Sequence, residues 1–123
     1  MTLTTRSLVA AALLTFVAGP AFAECDMVEF PEMHIDKNAS NDELKADAAK
    51  IVTANKDLEK YNACIDKMMK NKPGKDATKE EVAAWNAEVN KHTDAYNKAL
   101  DNLSKAATQY NEVVRAHKAA DKG

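Results

Sequence analysis

Sulfur and imidazole are the groups in this 123-residue chain best suited to chemistry: two Cys, five Met and three His. Met27, Met33 and His34 crowd one short stretch, and Met68 and Met69 follow one turn after Cys64. Thioether donors suit Cu(I). If Cys25 and Cys64 were joined, Met27 would come near Met68, so Met27, Met33, His34 and Met68 make up a candidate copper set. The competing use of Met at helical spacing is flexible core filling. On that reading, the one favoured here, the chain holds no metal and no cofactor. Other chemistries lack their residues. There is no C-x-x-C-H for haem, no H-E-x-x-H or E-x-x-H for zinc or di-iron, and no C-x-x-C redox pair. Neither a G-x-S-x-G nucleophile turn nor a phosphate-cradling Gly loop is present. The acid pair Glu80-Glu81 stands at a helix start, and a helical hairpin has no cleft to raise a carboxylate pKa. No catalytic residue is predicted, and the chain is not expected to be an enzyme.

What these residues do depends on where the chain is sent. Residues 1–23 have the layout of a secretory signal peptide: Arg6, an apolar run from Ser7 to Ala18, Gly19-Pro20, then Ala21-Phe22-Ala23 as an A-x-A cleavage site before Glu24. The apolar run falls short of the roughly 20 residues that span a bilayer. An uncleaved anchor is the alternative; lipid attachment at Cys25 is disfavoured by Glu24 directly before it. The expected location is periplasmic or secreted, with no stable membrane insertion after cleavage. Losing Arg6 moves the net charge from -2 to -3, and a chain without a basic excess is not expected to bind nucleic acid. In an oxidising compartment two lone cysteines most simply pair as Cys25–Cys64, two free thiols being the alternative.

The elements that must position these residues are readable from caps and periodicity. Residues 24–40 contain Pro31, show no helical period, and place Glu24, Asp26, Glu29, Glu32 and Asp36 ahead of the first Lys. This is read as an extended acidic strap. Ser40 with Glu43 forms a capping box that opens a helix over 41–70. Its seam is read as Leu44, Ile51, Leu58 and Ile65 with Ala48, Asn55, Asn62 and Met69, widened by Ala54, Tyr61 and Met68. Pro73-Gly74 interrupts within a loop at 71–78, and Thr78 with Glu81 opens a second helix over 79–120. There the heptad runs through Val82, Val89, Tyr96, Leu103, Tyr110 and His117, and through Trp85, His92, Ala99, Ala106, Val113 and Ala120. The fold class expected is all-α: an antiparallel, coiled-coil-like two-helix hairpin carrying an N-terminal strap pinned by a disulfide.

A turn centred near Gly74 would set Leu58 against Val89 and Asn55 against His92. On that register the first helix runs out before the second, leaving Tyr110, Val113, Val114 and His117 as an uncovered apolar stripe. Such a stripe is a candidate interaction surface. Fraying, or cover by the strap, is the alternative. Two N-x-S sequences, at Asn38 and Asn102, fit the glycosylation pattern, but the first shares its Ser with a helix cap and the second lies mid-helix.

The order Cys25, Pro31, Ala39-Ser40-x-x-Glu43-Leu44 and Tyr61-x-x-Cys64 resembles small exported bacterial helical proteins of unknown function. Those share a Cys near the mature N-terminus, a Pro-containing strap and a Tyr-x-x-Cys helix motif. The resemblance covers about residues 25–64 and implies a disulfide-pinned strap in a periplasmic protein, without an activity. The function expected is protein–protein interaction or self-association, scaffold or chaperone-like. The alternative is a small periplasmic copper-binding protein using the strap's Met and His.

Overall fold

Ser40 and Thr78 each turn the chain into a helix by the same local device. In the computed structural model, which describes residues 25–123, the Ser40 N–H donates to Glu43 Oε2 at 2.6 Å and the Glu43 N–H donates back to Ser40 Oγ at 3.2 Å. Thr78 and Glu81 repeat the exchange at 2.9 and 3.1 Å. Two otherwise orphaned N–H groups are satisfied at each start. Helix α1 spans Asn41–Lys70 and α2 spans Lys79–Ala120. They pack against each other as a hairpin, with no strand among the described residues. The predicted leader, residues 1–23, lies outside the described residues.

The strap is pinned at its beginning by the Cys25–Cys64 disulfide, which joins α-carbons 5.8 Å apart. At its far end Ile35, only 2 % exposed, packs with Ala39, Leu44 and Val113. The ten residue steps from Cys25 to Ile35 can reach about 33 Å at 3.3 Å per residue. From Cys64 back to Leu44, α1 covers about 30 Å at 1.5 Å per residue. The strap is therefore held close to full extension, antiparallel to α1.

Three apolar clusters stack along the hairpin. Cys25, Tyr61, Ile65 and Met68 form the first, with Val89 and Tyr96 against them. Ala54, Leu58, Ala99 and Leu103 form the middle one, under Val28 and Phe30 of the strap. The third joins Ile35, Ala39, Leu44 and Val113. The α2 heptad holds from Val82 to His117, and Ala120 is exposed.

Two parts of the sequence-based packing need correction. On α1 the column at Asn55, Asn62 and Met69 faces solvent, Met69 being 52 % exposed, whereas Ala54, Tyr61 and Met68 are buried. Cys64 lies on the Tyr61 side of the Leu44–Ile65 column, so the disulfide draws the strap to that side and the buried sector shifts with it. Turning two Asn amides outward also avoids desolvating them without partners. The register differs as well. His92 stands opposite Tyr61 and Trp85 over Met68, where a turn centred near Gly74 would place Ala87 and Glu80. The observed register gives each buried ring a partner: the Trp85 Nε1–H donates to the Met68 carbonyl at 3.1 Å, and Tyr61 meets His92. The turn itself does not require a glycine conformation. Gly74 has no positive φ, and a Cβ there would meet nothing within 4 Å.

Candidate functional site

The register shift extends the α1 surface along α2, and this changes the predicted interaction surface. Val113 is 5 % exposed, enclosed by Leu44 of α1 and by Ile35 and Ala39 of the strap. Tyr110, Val114 and His117 are half-buried. Of the stripe read as uncovered, Val113 is thus covered by the chain itself, because α1 reaches further along α2 and the strap packs beside it, while Tyr110, Val114 and His117 keep part of their surface open. What is left is a hollow of about 330 Å³ between the start of α1 and the end of α2, bordered by Lys45, Lys118 and Asp121.

The candidate copper residues are divided between the two ends. Met68 sits in the first cluster beside Cys25, 3 % exposed. Met33 packs on the third cluster, at the opposite end of the strap. Met27 is 45 % exposed and His34 faces solvent. The arrangement gives Met33 and Met68 separate packing roles and does not gather the four residues.

Tyr61 and His92 make a buried polar pair, each 3 % exposed, with Tyr61 Oη 2.6 Å from His92 Nδ1. His92 Nε2 lies 3.5 Å from Glu88 Oε2. The geometry suits the tautomer whose Nε2–H faces Glu88 while Nδ1 accepts the Tyr61 hydroxyl proton. Burial raises the Tyr61 pKa above its ordinary 10.0. The pair is sealed inside the helix seam, which suits it to locking the register rather than to meeting a substrate.

The strap supplies the most open feature. Ahead of the Ser40 cap, its two hydrogen bonds to the helices, among the described residues, both run to α2: Asn102 Nδ2 donates to the Phe30 carbonyl at 2.9 Å, and the Ile35 N–H donates to Gln109 Oε1 at 3.1 Å. Glu88, Ala95, Asn102 and Gln109 form a seven-residue column on α2. Its Ala95 packs on the first cluster, and Asn102 and Gln109 grip the strap. Lys50, Asp57 and Cys64 form the matching column on α1. Sequence reading took Asn102 only as part of an N-x-S triplet; the amides seven residues apart beside an apolar heptad were the signal for a clamp.

Between strap and α1 lies an apolar groove of about 620 Å³, floored by Ala49, Thr53 and Ala54 and walled by Val28, Phe30 and Met33. Glu29, Glu32 and Asp57 rim it, against a single cation, Lys50, which lies 3.7 Å from Asp47. A second cavity of about 620 Å³ separates strap from α2, beside Lys98. Lys105, near Glu32 on that side, is held by Asp101 at 2.8 Å; this contact, more than the field of Glu32, raises its pKa above the usual lysine value.

No protein-family model, curated protein or solved structure matches the chain. No described helix is long and apolar enough to cross a membrane.

Proposed function

We propose that this chain is an exported, non-catalytic binding module that acts by holding another protein, in the periplasm or outside the cell. The observation that carries the reading is the groove of about 620 Å³ between an extended, doubly anchored strap and α1. Its volume and apolar walls suit a bound ligand, and a disulfide anchor favours a rigid site whose binding does not have to order the strap. Export is supported by the signal-like residues 1–23, by the disulfide formed two residues beyond the expected cleavage site, and by the resemblance of residues 25–64 to exported helical proteins.

The test places a photo-cross-linking amino acid at Thr53, exposed in the groove, and at Glu59, exposed on the other side of α1. After irradiation in the producing cell, a discrete protein adduct from position 53 and none from position 59 is expected. Adducts from neither position would remove the binding reading. Intact mass of the isolated protein checks export separately: the expected chain starts at Glu24 and is lighter by two hydrogens than its reduced form.

A further inference from the structure

The groove has a chemical character that narrows what fits it. Its walls and floor are apolar or small, so a ligand that enters must offer apolar side chains to Phe30, Met33 and Ala54. Its rim is acidic. Glu29 and Glu32 stand on the strap and are exposed, and Asp57 adds a third carboxylate from α1. Lys50 is within 3.7 Å of Asp47, and Lys105, which lies near Glu32 from the α2 side, is held by Asp101 at 2.8 Å, so the carboxylates on the rim outweigh the cations free to meet them. Asp26 and Asp36 continue the negative charge along the strap in both directions, and no Lys or Arg interrupts it between Cys25 and Lys37.

The strap's backbone adds a directional feature. The strap is extended and close to taut, and the hydrogen bonds of its residues 25–35 to the helices, among the described residues, go to α2 through Asn102 and Gln109. The edge facing α1 borders the groove. Within residues 28–33 only the Phe30 carbonyl is bonded to a helix, among the described residues, and an extended stretch whose main-chain groups are left over, Pro31 having no N–H to give, can accept a further strand through main-chain hydrogen bonds, with alternate side chains pointing into the adjoining pocket. Strap residues 28–33 bordering the groove give such an edge a length of roughly 20 Å at 3.3 Å per residue.

From these features we infer that the α1-side groove takes an extended polypeptide segment in which apolar and basic residues alternate. The segment lies alongside strap residues 28–33, its apolar side chains in the groove and its Lys or Arg against Glu29, Glu32 and Asp57. This inference rests on the binding reading above and names the chemistry of the partner.

The probe is a fluorescein-labelled eight-residue peptide of alternating Lys and Val, compared with its Glu/Val counterpart, by anisotropy on the isolated, disulfide-intact protein. The Lys peptide is expected to bind at least tenfold more tightly than the Glu peptide. Its affinity should fall tenfold or more in Glu29→Lys/Glu32→Lys, whose sites are exposed and leave the packed clusters untouched. It should fall comparably in Thr53→Trp, which fills the groove from an exposed helix position. Circular dichroism confirms that both variants remain helical, and a variant that lost its helices would be replaced by Glu32→Gln or Thr53→Leu with the same expectation. Equal binding of the two peptides, or affinity unchanged in the strap charge reversal, overturns the inference. So does displacement of the peptide by a neutral alkyl detergent below its micellar concentration, which would show an acyl-chain site. The two readings separate in the cross-linking experiment. Adducts at Thr53 whose cross-linked segment lacks basic residues overturn the peptide chemistry and leave the binding module standing, whereas no adduct overturns both.

Discussion

Removing the disulfide should lower the stability of this domain by an amount that can be worked out from its topology. Cys25 and Cys64 close a loop with a sequence separation of 39. In the chain-entropy treatment, a cross-link over a loop of that length stabilises the native state by about 4 kcal/mol at 25 °C, because it restricts the unfolded ensemble. For a domain of about 100 residues, 4 kcal/mol corresponds to a fall in Tm of about 16–30 °C. The variant to compare is Cys25→Ala/Cys64→Ala, unfolded in urea and followed by far-ultraviolet circular dichroism. Fluorescence of Trp85, which packs over Met68 near the disulfide cluster, supplies a second probe. The midpoint should drop, and the urea m-value should rise, because an unfolded chain without its cross-link exposes more surface. If the two probes separate, the strap is leaving before the hairpin unfolds, and the native-state contacts of Ile35 then contribute independently of the bond. A loss below 1 kcal/mol with an unchanged m-value would refute the reasoning, since the strap would then be held by its packing alone.

Three further outcomes follow from individual contacts. Tyr61→Phe leaves His92 Nδ1 without its buried partner and should cost about 1–3 kcal/mol by urea titration. The same hydroxyl has a raised pKa in the folded state, so its contribution is fully present below pH 10.0 and is lost as pH rises through the folded value; an absorbance titration at alkaline pH should lose a tyrosine transition with a midpoint above 10.0 in Tyr61→Phe. Val113→Asp, at a site 5 % exposed between Leu44 and Ile35, should destabilise by about 3 kcal/mol or more in thermal unfolding, rather than merely change sedimentation as it would on an exposed surface. Gly74→Ala should stabilise by about 0.4–1 kcal/mol, since the residue has no positive φ and its Cβ position is open; a lower thermal midpoint would count against the turn as described.

Much of this was legible along the chain because its causes are local. The two capping boxes act within four residues, so Ser40–Glu43 and Thr78–Glu81 announce their helices from sequence alone. The α2 heptad is legible for a similar reason: a seven-residue apolar repeat keeps one face of a helix together whatever it packs against. On α1 the repeat was ambiguous. Residues three and four positions after each of Leu44, Ile51, Leu58 and Ile65 flank the same seam, and Met69 is as apolar as Met68. Which flank is buried depends on where the strap lies, and the strap follows Cys64. The clamp of Asn102 and Gln109 was hidden for a related reason, since an amide's partner on a distant extended segment leaves no trace in local periodicity.

Read alone, the sequence determines the number and limits of the helices, their hairpin order and the pairing of the only two cysteines, because each follows from short-range hydrogen bonding, apolar period or the scarcity of partners. Register, the burial of Val113 near the end of α2 and the groove beside the strap were decided by tertiary structure. Those features depend on how three segments compete for the same apolar surface. Trp85 and Tyr61 settle where the helices align, because each buried polar ring atom needs a partner. The strap's length then settles what it covers: ten extended residues from Cys25 bring Ile35 onto Val113, and the space they leave against α1 is the groove.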